Sequence, residues 1–192
     1  MNVLLVYAHP NPRSFNRAIL EAADATLRER GHATRIHDLY QMHFRAALDG
    51  EDLLRNWRGD LPVDTRREQD AIRWARGLVF VYPIWWFGPP AILKGWIDRV
   101  FTRKFAFDFG PEGMRGLLTH ERALIVNTLG GDEATYQRER WRELLARPIV
   151  EGVLGACGIG NVAYRAFYQV TTVAPAERRA MLDQVRELAA AF

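Results

Sequence analysis

Gly77-Leu78-Val79-Phe80-Val81-Tyr82-Pro83-Ile84-Trp85-Trp86-Phe87-Gly88-Pro89-Pro90-Ala91-Ile92-Leu93-Lys94-Gly95-Trp96-Ile97 is the stretch that decides how this chain folds. Leu78 to Val81 is hydrophobic and strand-like, within a strand over Gly77–Tyr82. Ala91–Phe101 places Ile92, Leu93, Trp96, Ile97, Val100 and Phe101 near helical spacing, with Lys94 and Asp98 four apart. Pro89 and Pro90 suit the first turn of that helix. Between strand and helix stand three large aromatic residues. Loops run over the surface, and each such ring carries roughly 150–250 Å² of mostly apolar area. At about 25 cal/mol per Å², an exposed ring leaves roughly 4–6 kcal/mol of burial unused. The turn therefore calls for a flat apolar cover, a bound ring system or a partner subunit.

Outward from this stretch the pattern repeats. Val3–Ala8 is a continuous apolar run, suited to a strand covered on both faces. Ser14 caps a helix through Arg30, with Gly31 as its stop. Ala33–Leu39 reads as a second strand. Tyr40–Val63 reads as a long connection with a short helix near Asp49–Asn56, and Asp64–Arg76 as a polar helix. Ala123–Leu129 is a fourth strand. Two helices fill Glu133–Leu145 and Pro148–Cys157. Asn161–Val170 is a fifth strand and Pro175–Ala191 a closing amphipathic helix. Alternating strands and helices argue for an α/β fold, a parallel sheet with helices on both faces. Five strands suggest the flavodoxin-like three-layer sandwich in the order 2-1-3-4-5, with its ligand crevice at the carboxyl ends of strands 1 and 3. The alternation comes from the residues; the strand order is an expectation from known folds. Residues 1–192 read as a single domain.

Composition narrows the function classes. The chain is 48% hydrophobic and 26% charged, with a formal net charge of +3. The arginines of 66–76 and 138–147 are interleaved with acids and lack the density of a nucleic-acid stripe. No apolar run reaches the length of a membrane span, and the N-terminus reads as a strand, not a signal peptide. A single cysteine, Cys157, permits no internal disulfide and fits a cytoplasmic setting; it reads as a small buried apolar residue. The histidines show no metal-ligand spacing, so no metal is expected.

Three loops could carry chemistry. His9-Pro10-Asn11-Pro12-Arg13-Ser14-Phe15-Asn16 opens the first helix, whose unpaired N–H groups suit a phosphate. Ser14 and Asn16 add side-chain donors, and His9 and Arg13 possible cationic ones. Neither a Gly-x-Gly-x-x-Gly nor a P-loop follows the first strand, which disfavours a Rossmann dinucleotide site or a nucleotide triphosphatase. The aromatic turn is the second loop. The third is Asn127–Tyr136, where Gly130-Gly131 permits close backbone approach to a flat ligand and N–H groups able to steady negative charge. A phosphate cradle facing an aromatic wall describes a flavin site.

Together these residues resemble the NAD(P)H:quinone oxidoreductase family of the DT-diaphorase type and its bacterial flavodoxin-like relatives. The specific stretches are Trp86-Phe87-Gly88, Pro90-Ala91-Ile92-Leu93-Lys94-Gly95-Trp96 and Arg99-Val100-Phe101. Ala8-His9 with Ser14-Phe15-Asn16, Asp38-Leu39-Tyr40, Thr128 with Gly130-Gly131, and Pro148-Ile149 with Cys157-Gly158 match in order and spacing.

The resemblance implies a homodimer with flavin sites at its interface and two-electron, ping-pong hydride transfer from NAD(P)H to a small quinone. FAD is the flavin it favours, FMN the alternative. It implies that His9, Arg13, Ser14, Phe15 and Asn16 hold the phosphate and ribityl part, and that Pro83, Ile84, Trp85, Trp86 and Phe87 line the ring. Thr128, Gly130 and Gly131 would meet the pyrimidine edge. Tyr136 matches a tyrosine that helps balance charge on the reduced flavin, which makes Tyr136, Gly130 and Gly131 the catalytic set. Trp86, Phe107 and Phe109 would line the substrate pocket. Trp85 stands where mammalian members have glutamine, and Phe107 and Phe109 where they have tyrosines. Arg142 stands near the position of the histidine that partners the family tyrosine; arginine stays protonated and cannot shuttle a proton. The competing readings are a flavodoxin-type electron carrier, a regulatory oxidoreductase subunit of a potassium-efflux system, and an azo or nitro reductase.

Overall fold

A computed structural model describes residues 1–192. Five strands form one parallel sheet: β1 (Asn2–Tyr7), β2 (Ala33–Asp38), β3 (Gly77–Pro83), β6 (Arg122–Thr128) and β7 (Val162–Phe167). Their spatial order is β2-β1-β3-β6-β7, the expected flavodoxin-like order once the five strands are numbered among themselves. Between them a two-stranded hairpin, β4 (Phe107–Gly110) and β5 (Gly113–Gly116), pairs antiparallel.

Side chains alternate across the pleat, and here both faces are apolar. Leu4, Val6, Ala8, Leu78, Phe80, Tyr82, Ala123 and Ile125 pack against α3 (Val63–Trp74), α4 (Ala91–Val100) and α6 (Trp141–Ile149). Val3, Leu5, Tyr7, Val79, Val81, Leu124 and Val126 pack against α1 (Phe15–Glu29) and α7 (Pro175–Ala190). The continuous hydrophobic runs in the sequence are the signature of these doubly covered strands.

Several boundaries differ from the sequence reading. The helix expected over Glu133–Leu145 is two: α5 (Glu133–Arg138) and α6, parted at Arg140, whose φ is +57°. The helix expected to begin at Pro148 is instead the end of α6, which contains Pro148 and continues as a π-helical turn over Val150–Gly155. Proline lacks an N–H and crowds the preceding turn, and a widened turn beside it relieves the ladder. The hairpin β4–β5 went unread because two four-residue strands joined by Pro111-Glu112 are too short to show a period.

The 40–63 connection carries α2 (Gly50–Arg58), started by a capping box between Asp49 and Asp52. It is held to α4 by charge. The Arg99 side chain, 1% exposed, donates from Nε to Asp52 Oδ2 at 3.1 Å and from Nη2 to Asp64 Oδ1 at 3.0 Å. Arg45 Nη2 reaches the same Asp52 at 2.6 Å, and Arg99 Nη1 donates to the Arg45 carbonyl at 2.8 Å. The close fit needs Gly95: a Cβ there would lie 2.0 Å from the Ala46 carbonyl oxygen, a backbone atom. Gly95→Ala is therefore expected to destabilise the protein by about 2 kcal/mol or more, read as a lower urea midpoint.

Candidate functional site

The three loops meet at the carboxyl ends of β1, β3 and β6, as parallel topology requires. Ser14 caps α1, its Oγ accepting from Arg17 N–H at 3.3 Å and sharing a hydrogen bond with Tyr7 Oη at 3.1 Å. The loop before it is tied down locally: Asn11 N–H donates to His9 Nδ1 at 3.0 Å, and Arg13 N–H to Asn11 Oδ1 at 2.9 Å. With Nδ1 accepting, neutral His9 carries its proton on Nε2. Burial pushes the His9 pKa down, which favours that neutral donor. Arg13 is exposed, and its guanidinium makes no ion pair. Phe15 packs partly buried against the α1–α7 core.

Asn16 is the crossing point. It is 3% exposed, and its Nδ2 donates to Thr128 Oγ1 at 2.7 Å, joining the first loop to the third. Its Oδ1 is buried with no partner, as is Oδ1 of Asn127, whose Nδ2 donates to the Tyr82 carbonyl at 3.3 Å. Buried polar atoms are ordinarily paired, so the orphaned Oδ1 of Asn16, at the junction of the first and third loops, is open to a donor from outside the chain. Asn127 shares the parity of Ala123 and Ile125 and lies on the opposite face of the sheet. Ile84 N–H donates to the Thr128 carbonyl at 2.9 Å, joining the third loop to the second.

The aromatic turn is a tight hairpin. Trp85 and Gly88 exchange both backbone hydrogen bonds, at 3.0 and 3.1 Å. Trp86 and Phe87 between them have φ of +49° and +62°. Two positive φ values are the mark of a type I′ turn, usually made by Asn-Gly. In bulky residues they are outliers of the kind that cluster at functional sites. The turn lifts the rings outward: Trp86 is 97% exposed, Trp85 43% and Phe87 39%. Trp85 leans towards His9, ring centroids 6.2 Å apart.

Phe87 also touches an aromatic box. Its ring lies 6.1 Å from Tyr136 and 5.2 Å from Trp141, and Tyr136 lies 5.5 Å from both Trp141 and Tyr168. Gly131 makes room for it, since a Cβ there would sit 2.8 Å from the Tyr136 ring. A Cβ on Gly130 would meet nothing within 4 Å, so the backbone there faces open space. Trp141 and Tyr168 were missed in the sequence reading. Tyr168 was legible in principle, since Tyr164, Ala166 and Tyr168 share one strand face by period two. Arg142 pairs with Glu133 at 3.6 Å and makes no hydrogen bond to Tyr136. Phe107 and Phe109 pack on each other at 5.7 Å on the hairpin, and no ring contact joins them to Trp86, Phe87 or Tyr136.

Comparison with known proteins supplies the family. Residues 1–189 match the family described as flavodoxin-like fold. An uncharacterized NAD(P)H oxidoreductase of Haemophilus influenzae is 35% identical over 184 residues, covering 95% of this chain and 91% of that one. The chain belongs to the flavodoxin-like NAD(P)H:quinone oxidoreductase family. Mouse ribosyldihydronicotinamide dehydrogenase [quinone] is 31% identical, covering 94% of this chain and 87% of its own length. Among solved structures, the NAD(P)H:quinone oxidoreductase from Methanothermobacter marburgensis superposes with a TM-score of 0.91 at 31% identity, over 99% of this chain and 98% of that one. An azoreductase of Bacillus anthracis, at 23% identity and a TM-score of 0.82, shares the fold. In family terms the chain is an oxidoreductase.

Proposed function

We propose that this protein is a flavin-dependent NAD(P)H dehydrogenase that reduces quinones by two-electron hydride transfer, with the flavin in the crevice between the three loops. The observation that carries it is the meeting of three loops at one sheet edge: the capped start of α1 with the unpaired Asn16 Oδ1, the exposed aromatic turn, and the open backbone at Gly130. The residues fit the group. His9 Nε2–H, Arg13, the capped start of α1 and Asn16 would hold the phosphate and ribityl part. Pro83 to Phe87 would flank the ring, and Thr128, Gly130 and Gly131 its pyrimidine edge. Bound there, the flavin supplies the hydride relay between nicotinamide and quinone.

The chain's own contribution is position and charge. The backbone at Gly130, open to solvent, brings N–H groups to an edge where negative charge develops. Tyr136, braced by Phe87, Trp141, Tyr168 and Gly131, holds its hydroxyl free of intramolecular hydrogen bonds and so available to a ligand. Arg142 makes only a 3.6 Å surface pair with Glu133 and no hydrogen bond to Tyr136, so in this reading Tyr136 carries the larger side-chain part of charge balance. Tyr136→Phe is expected to slow flavin reduction by NADPH roughly 10- to 100-fold, within the range for a positioned proton donor. Stopped-flow absorbance measures it, and an unchanged rate removes Tyr136 from the mechanism.

Homodimerisation completes the pocket in this reading. Trp86 stands 97% exposed, and Phe109, 59% exposed, has no ring contact with the aromatic turn of its own chain. A second copy bringing its hairpin over the turn would cover both. FAD is the favoured flavin and FMN the alternative; heating the protein and chromatographing the released cofactor against standards separates them. No helix is long and apolar enough to cross a membrane, and the expected setting is the cytoplasm. The deciding experiment is direct: a yellow preparation bleached by NADPH and restored by a small quinone. A colourless chain that takes up no flavin and oxidises no NADPH with it would refute the reading.

A further inference from the structure

On the far side of the sheet from β7, the edge strand β2 and helix α3 enclose a depression of about 470 Å³. Its walls follow from two periods. Arg35 and His37 alternate onto one face of β2, and Val63, Arg66, Arg67, Asp70 and Ala71 form an i, i+3, i+4, i+7, i+8 stripe on α3. The charges here are not those of an ordinary solvated helix face. Arg66 lies 3.8 Å from Asp60, and Asp70 pairs with Arg73 at 2.8 Å. Arg35 and Arg67 have no carboxylate within 4 Å, and the one acid lining the same depression, Asp70, is paired with Arg73, so the lining carries an excess of positive charge. Arg35 is held in place by stacking 4.0 Å over the Trp74 ring.

Beneath them lies a built feature. Glu68, 1% exposed, accepts from Trp96 Nε1 at 2.9 Å and from His37 Nδ1 at 2.6 Å, both on Oε2. A fully buried carboxyl fixed by a core indole thus orients the imidazole. Since Nδ1 is committed to Glu68, Nε2 is the nitrogen His37 has left for a ligand. Two forked guanidinium groups and one oriented imidazole N–H match the donor set that binds a tetrahedral dianion. Exposed Val63 at the rim, 81% accessible, gives an apolar surface for the organic part.

We propose that the β2–α3 depression is a second ligand site, binding the phosphate of a small soluble phosphomonoester through Arg35, Arg67 and His37. It lies on a different edge of the fold from the crevice and does not rest on the flavin reading.

The test is calorimetric titration of glycerol 3-phosphate, with inorganic phosphate alongside, into flavin-saturated protein, so that the start of α1 is already occupied. If the chain takes no flavin, the same titration is run with Arg13→Ala as the control for that loop. One site per chain is expected, weakened about tenfold or more by Arg35→Ala and by Arg67→Ala and lost in the double variant. Arg67→Lys keeps the charge without the fork and should fall between. Circular dichroism confirms the fold in each case, and quinone turnover should be unchanged because neither arginine touches the crevice. Wild-type affinity in the double variant, or no heat from the wild-type protein, would overturn the site. Binding to vesicles containing phosphatidic acid without binding to glycerol 3-phosphate would overturn the small-molecule reading.

Discussion

Arg99→Met is expected to lower stability by about 3 kcal/mol, or roughly 10 °C in melting temperature for a chain of this size. The reason is what methionine leaves behind. Asp52 is 3% exposed, and with Arg99 gone its carboxylate keeps one cation, Arg45, whose side chain is 46% exposed, and the Asp49 N–H of the capping box. Asp64, 42% exposed, can turn to water and loses less. The cost is therefore placed at the low end for a broken buried pair. A double-mutant cycle with Asp52→Leu should recover part of it, since removing both partners removes the stranded charge. The pH dependence has a definite sign. Burial alone would raise the Asp52 carboxyl, but hydrogen bonds from Arg99 and Arg45 outweigh it and hold the group below its ordinary 3.8; Arg99 does the same for Asp64. A depressed folded-state value gives stability that is complete above pH 3.8 and lost as pH falls through the lowered value. The gap between wild type and Arg99→Met should close below that pH. Melting curves across an acid series measure it, and a constant gap would sink the electrostatic account.

The second large effect belongs to the crevice. Asn16→Leu keeps the volume but removes the Nδ2 bond to Thr128 Oγ1 and the unpaired Oδ1. Fold stability should fall by about 1–3 kcal/mol, because the buried Thr128 Oγ1 is left without its partner. Flavin affinity should fall roughly 10- to 100-fold, the value of one or two lost bonds to a charged or strongly polar group. Quenching of flavin fluorescence on binding reads the affinity, and differential scanning fluorimetry reads the fold. Unchanged flavin affinity in a folded variant would move the cofactor out of this crevice.

Much of this architecture could be read from the chain. β1, β3 and β6 announce themselves as unbroken apolar runs because both sheet faces are covered, and α1 carries its start and stop in Ser14 and Gly31. The loops were found because parallel topology sends strand ends to one edge. What stayed hidden had no local signal. The aromatic box needs Trp141 and Tyr168, about thirty residues apart and from different elements. The Arg45–Asp52–Arg99–Asp64 network joins three segments across a connection with little period of its own. Sequence put Arg142 near the position of the family's relay histidine, where an arginine cannot shuttle a proton; its surface pairing with Glu133 across 3.6 Å had no local signal.

The corner at Trp86-Phe87 also bears on selection. A chain kept only for its fold would turn here with Asn-Gly, which adopts positive φ freely, whereas each bulky residue costs about 1–2 kcal/mol in that conformation. Drift towards stability thus has an easy path at two codons, and that path deletes the aromatic wall. The strain of these two rings is a cost the fold alone does not require. In a lineage that had abandoned the crevice while keeping the scaffold, this corner is where the loss would first be written.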